Sequence, residues 1–132
     1  MGRPSKTEYF LGIAEAVARR STCIRRQYGA VIVQDDVIVA TGYNGSPRGA
    51  VNCCDTGECW REEHHIPHGE RYELCQAVHA EANAIATGSR EDMVGATLYL
   101  VGIEDGKRME DPRPCLQCER LIINARIGRV VT

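Results

Sequence analysis

Apolar positions recur along this chain at two different spacings, and the alternation between them predicts the order of its elements. Ser5-Lys6-Thr7-Glu8 has the form of a capping box, and Tyr9, Ile13, Ala14 and Val17 follow at helical intervals, so residues 5 to 21 are expected to form an amphipathic helix. Ala30 to Val33 and Val37 to Thr41 are short β-branched runs separated by Gln34-Asp35-Asp36, the pattern of an antiparallel hairpin. Residues 79 to 87 read as a second helix. Ala96 to Ile103 is continuously apolar, as a strand covered on both faces must be. Leu116 to Ala125 predicts another helix and Arg129 to Val131 a last strand. The order helix, hairpin, helix, strand, helix, strand implies an α/β fold, a sheet with helices on both sides in which the later crossovers make parallel neighbours. Residues 44 to 70 hold too many Gly, Pro, Cys and charged residues for a regular element, and a loop of that length is usually functional or tied down.

The chain has 132 residues, the size of one domain, and residues 1–132 are read as a single domain. With 16 basic and 18 acidic residues its net charge is -2, which supplies no broad field for a polyanion; nucleic acid is therefore a poor partner and a small substrate a better one. One Trp and one Phe leave little to stack extruded bases. No run reaches membrane-spanning length, and Met1 to Phe10 lacks the apolar core of a signal peptide, so no membrane association and a cytoplasmic location are expected. Gly2 does not open an acylation motif, because position 6 is Lys.

Seven cysteines then call for metal or catalysis before disulfides. Cys115-Leu116-Gln117-Cys118 alone would serve equally as a redox pair or half of a structural zinc knot. His79 and Glu81, the first of them 36 residues upstream of Cys115, change that reading. His79, Cys115 and Cys118 supply three zinc ligands and leave the fourth position to water, which marks a catalytic site and not a structural one. Glu81, two residues from His79, lies close to the metal without being a ligand. Cys115 and Cys118 are expected in the first turn of a helix started by Pro114, where positions three apart share a face and the helix dipole favours thiolate. H-x-E followed by P-C-x-x-C is the signature of zinc nucleobase deaminases.

Together with Ser21-Thr22-Cys23, Gly42-Tyr43-Asn44-Gly45-Ser46-Pro47, Val78 to Ile85 and Ile122-Ile123-Asn124-Ala125, these motifs resemble the deoxycytidylate deaminases of the cytidine deaminase superfamily over nearly the whole chain. The resemblance implies a three-layer α/β/α fold around a mixed sheet of about five strands, and hydrolysis of dCMP to dUMP and ammonia. It implies zinc on His79, Cys115 and Cys118, with Glu81 as the proton shuttle between water, N3 of the cytosine and the departing amine. It places Asn44 at the deoxyribose and the backbone of Ala80 at the pyrimidine edge; Arg25, Arg26, Arg48 and Arg90 are the candidates for the 5′-phosphate. Relatives often carry a second, structural zinc. Cys23 and Cys53 match its first two ligand positions, and Cys59 and Cys75 stand in for the others, with His64, His65 and His68 in reserve and Cys54 left over. The resemblance further implies dCTP and dTTP as effectors, magnesium accompanying dCTP, and a homo-oligomer, a hexamer or dimer. Two other readings share the motif: a deaminase acting on another cytosine or adenine substrate, nucleoside or nucleic acid, and a non-enzymatic zinc module that binds a partner. A purely structural site has no use for Glu81.

Overall fold

A computed structural model of the chain describes residues 2–50, 52, 54, 57 and 77–132. Helix α1 spans Lys6–Ala18 and is capped by Ser5, whose hydroxyl accepts from the Glu8 amide. Strands β1 (Gln27–Gln34) and β2 (Val37–Tyr43) pair antiparallel, as the sequence predicts. Asp35 and Asp36, the two residues between them, both take left-handed backbone, the conformation of a tight hairpin turn. Helix α2 (Ala80–Thr87) and the single turn α3 (Arg90–Met93) lead to β3 (Thr97–Glu104). A second hairpin through Asp105-Gly106 adds β4 (Lys107–Arg108). Helix α4 (Leu116–Asn124) and strand β5 (Arg129–Val131) complete the order.

The sheet runs β2-β1-β3, and the far edge of β3 is shared by β4, antiparallel at one end, and β5, parallel at the other. This mixed five-stranded sheet separates two apolar clusters. Ala30, Ile32, Leu98 and Leu100 face α2 and α4 with Ala80, Ala84 and Ile122, whereas Val31, Val33, Tyr99, Val101 and Ile103 face α1 with Phe10, Ala14 and Ala18. The alternation along β1 and β3 explains why both strands read as unbroken apolar runs. The three-layer α/β/α expectation matches.

The inward face of α1 agrees with the expected stripe at Ala14, with Ile13 and Val17 half-buried beside it, and differs at Tyr9. Phe10, Ala14 and Ala18 turn toward the sheet, while Tyr9 remains 52% exposed. The reason is the closeness of the layers: a Cβ on Gly29 would lie 2.2 Å from the Ala14 carbonyl oxygen and 2.4 Å from the Ala18 nitrogen. Only small side chains fit there, so the alanines take the contact and the larger residues flank it.

The same device seats α2. A Cβ on Gly42 would meet the Ala84 nitrogen at 2.4 Å and the Ala80 oxygen at 2.5 Å, both backbone atoms that cannot swing aside. Asn83 donates from Nδ2 to the Tyr43 carbonyl at 2.8 Å, and the Thr87 hydroxyl reaches the Thr41 carbonyl at 3.2 Å, tying the helix to β2 at its middle and at its C-terminal end. Gly42→Ala is therefore expected to push α2 off the sheet and cost about 1–3 kcal/mol. A urea unfolding midpoint equal to that of the unsubstituted protein would show that the helix is not clamped there.

Candidate active site

Two helix N-termini converge at one edge of the α2–α4 layer. His79 is the N-cap of α2, Glu81 lies in its first turn, and Cys115 is the N-cap of α4 with its sulfur accepting from the Cys118 amide at 3.5 Å. Pro114 thus precedes the cap instead of opening the first turn, a shift that leaves both sulfurs on the same side of the helix start. Just ahead of His79, Val78 and Gly45 exchange backbone hydrogen bonds of 2.7 and 3.1 Å, which fixes the direction in which the chain enters α2.

His79 Nδ1 lies 3.4 Å from Cys115 Sγ and 3.4 Å from Cys118 Sγ, and the three donor atoms fall within 4.8 Å of one another. Zinc–nitrogen and zinc–sulfur bonds of ordinary length at a tetrahedral angle would hold nitrogen and sulfur about 3.5 Å apart. The spacing and the imidazole–thiol donor set therefore fit a zinc ion. Among the described residues no other group of three His, Cys, Asp or Glu side chains meets this condition.

The electrostatics point the same way. Glu81 is only 5% exposed, and burial raises its carboxyl above the ordinary range, opposed by its own backbone hydrogen bond, by His79 and by the Cys118 thiol. Burial also pushes the Cys118 thiol far up, with the Glu81 charge and Cys115 adding to it and the Ala82 amide offsetting part. Acidic groups packed this tightly resist ionisation until a cation arrives among them.

The loop after β2 is organised around Asn44. Its side chain is buried, and Oδ1 accepts from the Tyr28 amide at 2.7 Å while Nδ2 donates to the Arg26 carbonyl at 2.9 Å. The Ser21 hydroxyl, equally buried, sits 2.6 Å from Asn44 Oδ1 and 2.7 Å from its carbonyl oxygen. Of the phosphate candidates, Arg26 pairs with Glu104 at the end of β3, Arg25 is half-buried ahead of β1, and Arg48 is exposed in the loop after Pro47. Arg90 opens α3, beyond the C-terminal end of α2 and so at the end away from His79. Cys23 is half-buried and Cys54 exposed, with the Cys54 amide bonded to the Thr22 carbonyl. Cys53, Cys59, Cys75, His64, His65 and His68 lie outside the described residues. Sequence reasoning gave Ser21 and Asn83 no role of their own. Asn83 had a legible signal, a lone amide in the alanine-rich run Ala80 to Thr87; Ser21 had none beyond its place in the Ser-Thr-Cys stretch.

No helix among the described residues is long and apolar enough to cross a membrane. Residues 4–132 match the family model described as the cytidine and deoxycytidylate deaminase zinc-binding region. A deoxycytidylate deaminase of Mycobacterium phage D29 is 44% identical over 99% of this chain and 96% of its own length. The deoxycytidylate deaminase of Schizosaccharomyces pombe is 38% identical over 98% of the chain, which spans only 37% of that protein. The dCMP deaminase of cyanophage S-TIM5, solved in complex with dCMP and dUMP, superposes with a TM-score of 0.68 at 26% identity, covering 98% of this chain and 82% of its own. A donor triad at zinc spacing, a buried carboxylate beside it and a match that runs through almost every residue agree: the chain belongs to the cytidine and deoxycytidylate deaminase family.

Proposed function

We propose that this chain, acting as one domain, hydrolyses dCMP to dUMP and ammonia. The observation that carries the reading is Glu81, a carboxyl withdrawn from solvent beside three metal donors and not itself one of them. The choice of dCMP over other amino-bearing rings is supported by the phage D29 relative, named for that activity and similar along almost its whole length, and by the cyanophage neighbour solved with dCMP and dUMP.

His79, Cys115 and Cys118 would hold zinc. When bound, zinc lowers the pKa of a coordinated water toward neutrality and so supplies a nucleophile at neutral pH. Glu81 takes the proton that the attacking water gives up and delivers it to N3 of the ring as C4 is attacked. It then takes the remaining proton from the new C4 hydroxyl and passes it to the amine as the C4–N bond breaks and the C4 carbonyl forms, so that one water enters and one ammonia leaves. A carboxyl raised by burial holds a proton well enough to give it back, which an exposed and permanently ionised one does poorly. The Ala80 amide, first in α2, has no carbonyl partner within its helix and is placed to hold the pyrimidine edge. Asn44 is assigned to the deoxyribose. Arg25, Arg26 and Arg48 remain the phosphate candidates on the side of the fold that carries the Asn44 loop.

Ammonia release should be measured with dCMP, CMP, deoxycytidine, cytidine and a short cytosine-containing single strand, with dCTP and magnesium present or absent. Preference for dCMP by at least an order of magnitude is expected. Turnover confined to nucleosides or to the strand would move the chain to another branch of the family, and silence on all five by zinc-loaded protein would overturn the enzymatic reading.

A further inference from the structure

We infer that Ser21 is a positioning residue for sugar recognition, acting through Asn44 by filling the second acceptor site of its carboxamide oxygen and holding the amide against tilt; this rests on the proposed contact between Asn44 and the deoxyribose. An isolated carboxamide has two donor hydrogens and two acceptor lone pairs, and nothing local distinguishes its two orientations. Here the surroundings do. The Tyr28 amide is a donor only and lies 2.7 Å from Oδ1; the Arg26 carbonyl is an acceptor only and lies 2.9 Å from Nδ2. Ser21 Oγ stands 2.6 Å from Oδ1 and 2.7 Å from the Asn44 carbonyl oxygen, and its single hydrogen is shared between them. That hydroxyl is itself held, because its oxygen accepts from the Cys23 amide at 3.1 Å and the Ser21 amide is bonded to the Ala18 carbonyl at the end of α1. Both side chains are 8% exposed, so water cannot easily replace either partner.

The inventory has a chemical consequence. Oδ1 spends its two acceptor sites on Tyr28 and Ser21, and Nδ2 spends one hydrogen on Arg26. One N–H remains. Asn44 can therefore address a sugar only as a donor, toward an acceptor oxygen, and the deoxyribose of a 5′-nucleotide offers its 3′-hydroxyl oxygen for that. Removing the Ser21 hydroxyl leaves one Oδ1 lone pair open to other donors and lets the amide tilt, which blunts the directionality of the remaining N–H without touching the zinc donors or Glu81.

The test is a double-substitution cycle on the zinc-loaded protein. For Ser21→Ala, KM for dCMP is expected to rise about tenfold with kcat within twofold. The preference for dCMP over 2′,3′-dideoxycytidine monophosphate should shrink by the same factor. In the Asn44→Ala background Ser21→Ala should then add nothing further. If Ser21→Ala leaves KM and this preference unchanged while Asn44→Ala alters both, the positioning role is wrong and the sugar contact stands. If Asn44→Ala alters neither, the sugar contact itself fails and the positioning role falls with it. Full and independent effects in the double variant would also overturn the proposal. Should Ser21→Ala fail to fold, the side-chain amide protons of Asn44 in the unsubstituted protein give the answer: dUMP is expected to shift one of the two and spare the other, and movement of neither would refute the inference.

Discussion

Glu81→Gln is expected to keep its zinc and lose about 10²- to 10⁴-fold in turnover. The substitution preserves shape in a site where the side chain is 5% exposed, so the packing around it has no reason to change. The carboxyl is outside the donor set formed by His79, Cys115 and Cys118, and an uncharged amide removes a like charge that raises the Cys118 thiol. Metal retention should therefore be undiminished. The amide cannot take a proton from water and return it to N3 and to the amine, and every transfer assigned to Glu81 stops. Zinc content and ammonia release measured on the same preparation check both halves. Near-normal turnover would remove Glu81 from the proton path, and loss of zinc would mean that the carboxylate takes part in holding the metal.

Cys115 should separate two roles that one sulfur fills. As N-cap it accepts from the Cys118 amide, and as a donor atom it faces His79 Nδ1. Cys115→Ala is expected to abolish zinc binding and activity and, in the metal-free protein, to cost about 1 kcal/mol for the lost cap. Cys115→Ser keeps an oxygen able to cap α4 but replaces a soft thiolate by a hard and weakly acidic hydroxyl. Its zinc and activity should be lost almost as fully, while its metal-free unfolding midpoint stays near that of the parent. Equal midpoints for the two variants would show that the cap contributes nothing, and activity surviving in Cys115→Ala would exclude Cys115 as a ligand.

The elements with long apolar periodicity were legible in the sequence with ends displaced by up to three residues: α1 stops at Ala18, short of the expected 21, and β1 begins at Gln27, ahead of its apolar run. β5, at Arg129–Val131, coincides with its expectation, and α4 and β3 each shift at a single end or by one position. β4 was missed because Lys107 and Arg108 are both exposed and carry no alternation. The turn that makes it was nonetheless written in Asp105-Gly106, a pair suited to the left-handed backbone both residues adopt. α3 is a single turn, too short for periodicity to register. The meeting of His79, Cys115 and Cys118 was legible because metal-binding chemistry depends on residue type and spacing. The network around Asn44 was not, since Ser21, Arg26, Tyr28 and Asn44 meet through backbone groups whose partners only the folded chain reveals. The α1 face was read only in part for a related reason: Ala14 is buried and Ile13 and Val17 pack beside it, but the place of Ala14 and Ala18 at the centre of the contact is decided by Gly29 on a different element.

The donors come from opposite sides of β3: His79 precedes the strand, whereas Cys115 and Cys118 follow it. A zinc ion held by all three would act on the denatured chain as a crosslink does, closing the loop from His79 to Cys115 and removing loop-closure entropy worth about 4 kcal/mol at room temperature. That loop carries the whole of β3, which pairs with β1, β4 and β5. The ion that prepares the water would thus also join the two segments of chain that flank an inner strand of the sheet, so that losing the metal would loosen the fold as well as stop the chemistry.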